Sequence, residues 1–412
     1  MKSEFCLIYI NHFIIIQLGG SMKRHIFYIV TPFIFISVYA ARPMTSLFAN
    51  ELDATMFEIG MITTCYSITP LIIAIFAGRY IDRYGERIPI FLGSLGLFIS
   101  LCLPYFFPSV HILFISQLIL GGSQLLATLA VQNAVARSTT YKNRDRSVGT
   151  FSLFSSAGML IGPIIGGYST EHFGFQLSFL ILSFVLFVPM ALSFFISKSS
   201  RTSSMSNIEK STSMKELFRI PGLSRVVFVS MLILSALDIF YVYFPLYAQS
   251  IGLNFSQIGL LLGALAAANV FVRIFMPKLV MMFGRVTVLW IFMMMGAISF
   301  GMIPFLHEFS LLFAASFLLG AGLGITQPLT IVLLYNISPP DQTGEILGIR
   351  LASNRLGQMI VPFVFANLST LFGLGPILFI KAIVLAAGAL TARGIIDRVN
   401  QEEISEGRVK IP

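Results

Sequence analysis

The sequence predicts an all-α integral membrane protein: twelve transmembrane helices in two parallel, pseudo-symmetric bundles of six. Three observations carry that prediction: an apolar composition, a strict alternation of charge between loops, and an internal repeat. Of 412 residues, 56% are hydrophobic and only 11% charged, with a mean hydropathy of +0.86. A soluble domain usually carries about 25% charge. Too few charged side chains exist here to cover a water-exposed surface, so lipid is the expected solvent. That excludes most soluble enzymes, nucleic-acid binders and disordered chains.

A crossing needs about 20 apolar residues, and only helices or closed barrels satisfy their backbone in hydrocarbon. The apolar stretches are continuous, without a period of two, so the spans are helical. They fall at 26–48, 57–79, 88–107, 112–134, 148–168, 175–196, 226–248, 256–276, 287–305, 310–334, 347–370 and 374–396.

Arg79, Arg83, Arg87, Arg137, Lys142, Arg144, Arg146, Lys198, Arg201, Lys210, Lys215, Arg219, Lys278 and Arg285 all fall at one end of these spans. The loops near 50, 109, 171, 252, 307 and 372 hold no Lys or Arg, only the acids Glu51, Asp53, Glu171 and Glu308. Basic residues stay on the cytoplasmic side. The alternation therefore predicts an even span count with both termini cytoplasmic, and the net charge of +9 records orientation. Residues 1–21 are too short in their apolar part to span, and Gly19-Gly20-Ser21-Met22 suggests a physiological start at Met22; a short membrane-surface segment is the alternative.

The polar stretch 197–222 divides the helices six and six. The expected organisation is an N-terminal segment (1–25), a first bundle (26–196), a linker (197–225), a second bundle (226–396) and a tail (397–412). A shift of 199 residues superimposes Ile59-Gly60 on Ile258-Gly259, Gly85 on Gly284, Gly121 on Gly320 and Gly149 on Gly348. It also places Gly158 on Gly357, Pro163 on Pro362, and Phe173-Gly174 on Phe372-Gly373. Parallel halves of this kind are a transporter architecture, with binding between them at mid-depth.

Gly78-Arg79-Tyr80-Ile81-Asp82-Arg83-Tyr84-Gly85-Glu86-Arg87 resembles the cytoplasmic loop signature of the major facilitator superfamily, GxxxDRxGxR, complete at its defining positions. The resemblance covers essentially the whole chain. It implies a cytoplasmic gate of Gly78, Asp82, Arg83, Gly85 and Arg87. Gly78 would allow close backbone approach, Asp82 would meet a helix N-terminus, and Arg83 and Arg87 would bond across the loop. The plain alternative is an ordinary positive-inside loop. The second-half equivalent, around Lys278, Gly284 and Arg285, lacks the acid.

Gly158, Gly162, Pro163, Gly166 and Gly167 resemble the GxxxGPxxGG motif of the antiporter branch, which favours export; small residues four apart also serve plain helix packing. Drug antiporters of the family usually carry an arginine four residues before the fourth-span glycine. Gln117 stands there, before Gly121, which weakens a simple transfer of their coupling mechanism.

Ionisable groups inside spans are costly and point to function. Arg42, Asp238, Arg355 and Lys381 qualify, Lys381 with the option of snorkelling outward. In this fold the first, fourth, seventh and tenth helices line the cavity. That makes Arg42 and Asp238 coupling or substrate candidates, joined by Gln124, Gln132, Thr326, Gln327 and Thr330, with Tyr39, Tyr241 and Tyr243 as aromatic surface. The structural alternatives are a permanent Asp238–Arg355 ion pair and ordinary interhelical hydrogen bonds.

No ATP-binding GxxxxGK[ST] sequence or metal-ligand spacing occurs, and Cys6, Cys65 and Cys102 read as apolar side chains. The expected function is proton-coupled efflux of a small organic molecule across the plasma membrane by alternating access. The expected protein is a monomer with no cofactor and no nucleic-acid partner. Import of a nutrient, a non-transporting sensor or assembly factor, and least of all a channel, are the alternatives.

Overall fold

The computed structural model describes residues 26–137, 144–196, 220, 222–338 and 343–405. Its described elements are almost entirely α-helical, so every backbone group in a crossing is satisfied within its own segment. The first half contains α1 (Ile26–Glu51), α2 (Met56–Tyr84), α3 (Arg87–Phe106), α4 (Val110–Arg137), α5 (Arg144–Phe184) and α6 (Phe187–Ser193). The second contains α7 (Leu223–Ser250), α8 (Phe255–Phe283), α9 (Arg285–Met302), α10 (Phe309–Ile337), α11 (Thr343–Phe372) and α12 (Leu374–Ser405).

The twelve helices are not the twelve spans one for one. The fifth span and most of the sixth run together as α5, broken only at Gly174, where φ is 75° and ψ is 169°. A positive φ costs glycine nothing, so the chain reverses there without a loop, and α6 completes the sixth crossing. Ten described segments are long and apolar enough to cross a membrane, the 45-residue Gly149–Ser193 stretch being one of them. Thr343–Phe372 is not among them; Glu345, Arg350 and Arg355 give it a more polar first half. Residues 1–21, the Met22 start, Lys142, Lys210 and the tail beyond 405 lie outside the described residues.

The 199-residue repeat is present in three dimensions. Thr55 and Asn254 both cap their helices in a capping box, closed by Glu58 and Gln257. A Cβ on Gly121 would meet the Tyr66 carbonyl at 2.0 Å, and one on Gly320 would meet the Leu265 carbonyl at 2.1 Å. A Cβ on Gly60 would meet Ala366 and the Pro362 carbonyl; one on Gly259 would meet Gly167 and the Pro163 carbonyl. Every partner in these pairs is displaced by the same 199 positions, so α2 crosses α11 as α8 crosses α5. Lipid offers no hydrophobic drive for helix association, so close backbone approach through small residues supplies it.

These two crossings seal one end of the molecule. The same end carries hydrogen bonds from Asn50 to Gln249 (3.4 Å), from Thr64 to the Met359 carbonyl (3.2 Å), and from the Phe255 amide to Glu171 (2.8 Å). At the opposite, basic end the positions a Cβ would take on Gly78, Gly149 and Gly348 have no heavy atom within 4 Å. Among the described residues, the bundles are closed at the acidic end and make no comparable close crossing at the basic end.

Candidate functional site

The centre of the molecule is a polar cluster between the halves. Arg42 of α1 donates to Asp238 of α7 at 2.6 Å, both side chains being buried. The Arg42 guanidinium also lies 4.9 Å from the Tyr66 ring centroid and 5.8 Å from that of Tyr241. Tyr39 meets Tyr241 edge to face at 5.3 Å, and the Tyr66 hydroxyl donates to Gln124. Arg42 follows α1 down into this cluster one residue before Pro43, and Asp238 occupies the middle of the most completely buried helix of the fold. The other Asp238 oxygen, Oδ2, is buried without a hydrogen-bond partner among the described residues, as is the Tyr241 hydroxyl.

The structure brings Arg42, Asp238, Tyr39, Tyr241 and, through Tyr66, Gln124 together. Arg355 does not pair with Asp238: it is half-buried and donates to Gln358 of its own helix at 3.0 Å. Seated on α11, it instead lies within electrostatic reach of the Tyr39 and Tyr66 hydroxyls. Lys381 does not snorkel; it is 1% exposed, donates to Ser235 at 2.7 Å and faces the Phe365 ring at 5.9 Å. Its position on the inner face of α12, packed on α7, leaves no route to the lipid boundary. Thr326 and Thr330 bond to carbonyls of their own helix, and no interhelical bond involves Gln327. Gln132 is exposed. Tyr243 belongs to the sealed end, donating to the Pro362 carbonyl at 2.8 Å. Gln117 donates to Thr45 of α1 at 2.9 Å, an uncharged tie between the first and fourth helices.

The basic-end motif is held within the first half. Arg137, at the end of α4, contacts Asp82 at 3.2 Å and Glu86 at 3.5 Å. Asp82 lies in the last turn of α2 and meets that cation, not a helix N-terminus. Gly78 makes no close backbone approach. Arg83 stacks on Tyr84 and Arg87 on Phe194, at 5.4 and 5.3 Å from the ring centroids, and neither forms an ion pair among the described residues. Gly85 ends α2 with φ 76°.

The glycine motif of α5 has two faces. Gly158, Gly162 and Gly166 seat α1, where a Cβ would meet Pro32, Phe35, Ile36 and Ala40 at 2.5–3.1 Å. Pro163 and Gly167 seat α8 instead, at Gly259 and the Phe255 carbonyl. One helix thus connects the α1 that carries Arg42 to the crossing that seals the acidic end.

Two residues of this site, Arg273 and Tyr66, and one further buried cation on α11, Arg350, are absent from the candidates read in the sequence. Arg273 lies inside the predicted eighth span, an ionisable residue at membrane depth, which is signal enough to find it; it donates to the Gly324 carbonyl at 3.1 Å. Arg350 meets the same criterion and is 5% exposed. Tyr66 carries no such mark, because only tertiary packing brings a second-span tyrosine beneath Arg42.

Two six-helix halves related by a repeat, with a buried ion pair between them and one end closed, have the architecture of a membrane transporter. The model of the Major Facilitator Superfamily matches residues 27–362 and 248–408. The chain belongs to that superfamily, and is a multi-pass transporter, not an enzyme. It is 24% identical to "Multidrug resistance protein 2" of Bacillus subtilis over 366 residues, 83% of this chain and 90% of that one. It is 34% identical to "Multidrug resistance protein 1" of the same organism, over 37% of this chain and 40% of that one. "Multidrug resistance protein MdtG" of Salmonella arizonae is 26% identical, covering 81% of this chain and 84% of the relative. Among solved structures, a bacterial homolog of the human lysosomal transporter Spinster, inward-facing and unoccupied, superimposes with a TM-score of 0.77. That likeness has 12% identity and covers 92% of this chain and 99% of that one. A D-xylose-proton symporter gives 0.74 at 16% identity, covering 90% and 96%. These likenesses show the shared fold.

Proposed function

We propose that this transporter exports a small organic molecule in exchange for protons across the cell membrane, with the basic end and both termini in the cytoplasm. In that orientation the structure corresponds to the inward-facing state, ready to load from the cytoplasm. The observation that carries the reading is the Arg42–Asp238 pair. It bridges the halves at mid-depth with one carboxylate oxygen bonded and the other without a partner. Rotation of the halves to open the acidic end draws α1 from α7 and withdraws the guanidinium. Asp238 then faces the acidic exterior without its counter-ion, and a proton on the carboxylate removes the cost of a lone buried charge. The returning Arg42 displaces it inward. The α5 glycine motif and the multidrug-resistance names of relatives support the outward direction.

The test is flux in inverted membrane vesicles with an imposed pH gradient and a chemically diverse substrate panel. Proton-driven accumulation in wild-type vesicles, with loss of gradient dependence but survival of substrate exchange in Asp238→Asn, is the expected result. Accumulation only in right-side-out vesicles would reverse the direction, and full pH dependence in the variant would remove Asp238 from coupling.

A further inference from the structure

We propose that the transported molecule is an organic anion whose carboxylate, sulfonate or phosphate is gripped by Arg273 and Arg355; this rests on the transport reading above. Charges at mid-membrane depth are costly and normally paired. Arg42 has Asp238. Arg355, on α11, donates only to Gln358 of its own helix, and Arg273, on α8, only to the Gly324 carbonyl. Neither has a carboxylate within 4 Å among the described residues, and a guanidinium carries five N–H donors. Most of those donors are left without a protein acceptor.

The Tyr39 hydroxyl lies within electrostatic reach of Arg42, Arg355 and Arg273, and of the single carboxylate, Asp238. Against that one carboxylate stand Arg42, Arg273, Arg355 and the buried Lys381, so positive charge remains in excess at the heart of the molecule. Arg355 and Arg273 are also half-exposed, on the side where the bundles make no close crossing among the described residues. A mobile anion entering from the basic end supplies the missing counter-charge, and the planar guanidinium fork suits two-oxygen acceptors. The partly exposed ring of Tyr39, backed edge to face by the buried Tyr241, offers an apolar surface for an aromatic body. A cationic solute of the same shape would approach two uncompensated positive charges in a medium of low dielectric, where repulsion is strong.

The test uses the purified full-length protein in phosphatidylcholine nanodiscs. It is titrated by fluorescence anisotropy with two dyes of one xanthene skeleton, anionic fluorescein and cationic rhodamine 6G. Fluorescein should bind at least about tenfold more tightly than rhodamine 6G. Arg273→Gln and Arg355→Gln, each monodisperse on size exclusion, should each weaken fluorescein by about tenfold or more, as expected for lost hydrogen bonds to a charged group. Arg355→Glu should reverse the preference. Tighter rhodamine binding, or unchanged fluorescein affinity in both glutamine variants, overturns the proposal; the dye ranking in the unmodified protein decides the matter even if a variant misfolds. Loss of fluorescein binding in phosphatidylglycerol nanodiscs would overturn the soluble substrate in favour of a lipid headgroup. Fluorescein binding without gradient-driven flux keeps the anion site and sinks the export reading. Rhodamine flux without fluorescein binding does the opposite.

Discussion

Arg42 and Asp238, 196 residues apart in the chain, meet at 2.6 Å between the first helix of one half and the first helix of the other. The same pair is at once a structural tie between the bundles and, among the described residues, the one place where a carboxylate is buried at mid-depth. Breaking a buried pair by removing one partner costs about 3–5 kcal/mol, because the other charge is left uncompensated. Asp238→Asn or Arg42→Gln alone should lower thermal stability in detergent substantially. The double variant should recover most of that loss yet remain inactive in proton-driven flux. Recovery of pH-dependent transport in the folded double variant would reduce the pair to packing.

At the sealed end, a Cβ on Gly259 would meet the Pro163 carbonyl at 2.5 Å. Gly259→Val should therefore prise α8 from α5 and favour the state open at the acidic end. In a cysteine-free background, Leu262→Cys, buried in this structure, should gain labelling by impermeant maleimide when Gly259→Val is added. Unchanged labelling would mean that the α5–α8 crossing does not control closure.

At the basic end, Arg137 spans an exposed and a buried acid: the Asp82 side chain is 71% exposed and that of Glu86 4%. Removing the exposed partner with Asp82→Asn should cost under about 1 kcal/mol. Arg137→Gln leaves Glu86 buried without a cation and should cost about 1–3 kcal/mol. Both should slow turnover if Asp82 must leave Arg137 to engage the second half. Chemical denaturation and initial flux rates separate the two effects; normal turnover in folded Asp82→Asn would make the loop a topology signal only.

Orientation is open to a direct check. Single cysteines at Ser109, Glu171 and Glu308 should label from outside sealed cells, and cysteines at Lys142 and Lys210 should not. External labelling at 142 or 210 would invert the assignment of the basic end to the cytoplasm.

The sequence by itself determined the solvent, the number of crossings and the two-fold plan. Each is written in local chemistry: apolar length sets the spans, and the recurrence of Thr55-to-Gly85 features as Asn254-to-Gly284 sets the repeat. It also marked Arg42 and Asp238, because charge inside an apolar run stands out without any knowledge of neighbours. What it could not decide was partnership. The sequence offered both Arg355 and Arg42 as cations for Asp238 and left Lys381 free to snorkel outward. Only the packing of α1 against α7 awards it to Arg42, leaving Lys381 on Ser235 and Arg355 beside Gln358. The same holds for the gate: Asp82 reads as a latch between halves, yet it meets Arg137 in its own bundle. Pairing depends on helix rotation and on which end of the bundle is closed. Those are set by contacts such as Gly60 on Pro362 and Gly259 on Pro163, far apart in the chain, and no local pattern encodes which of two alternating states the chain occupies.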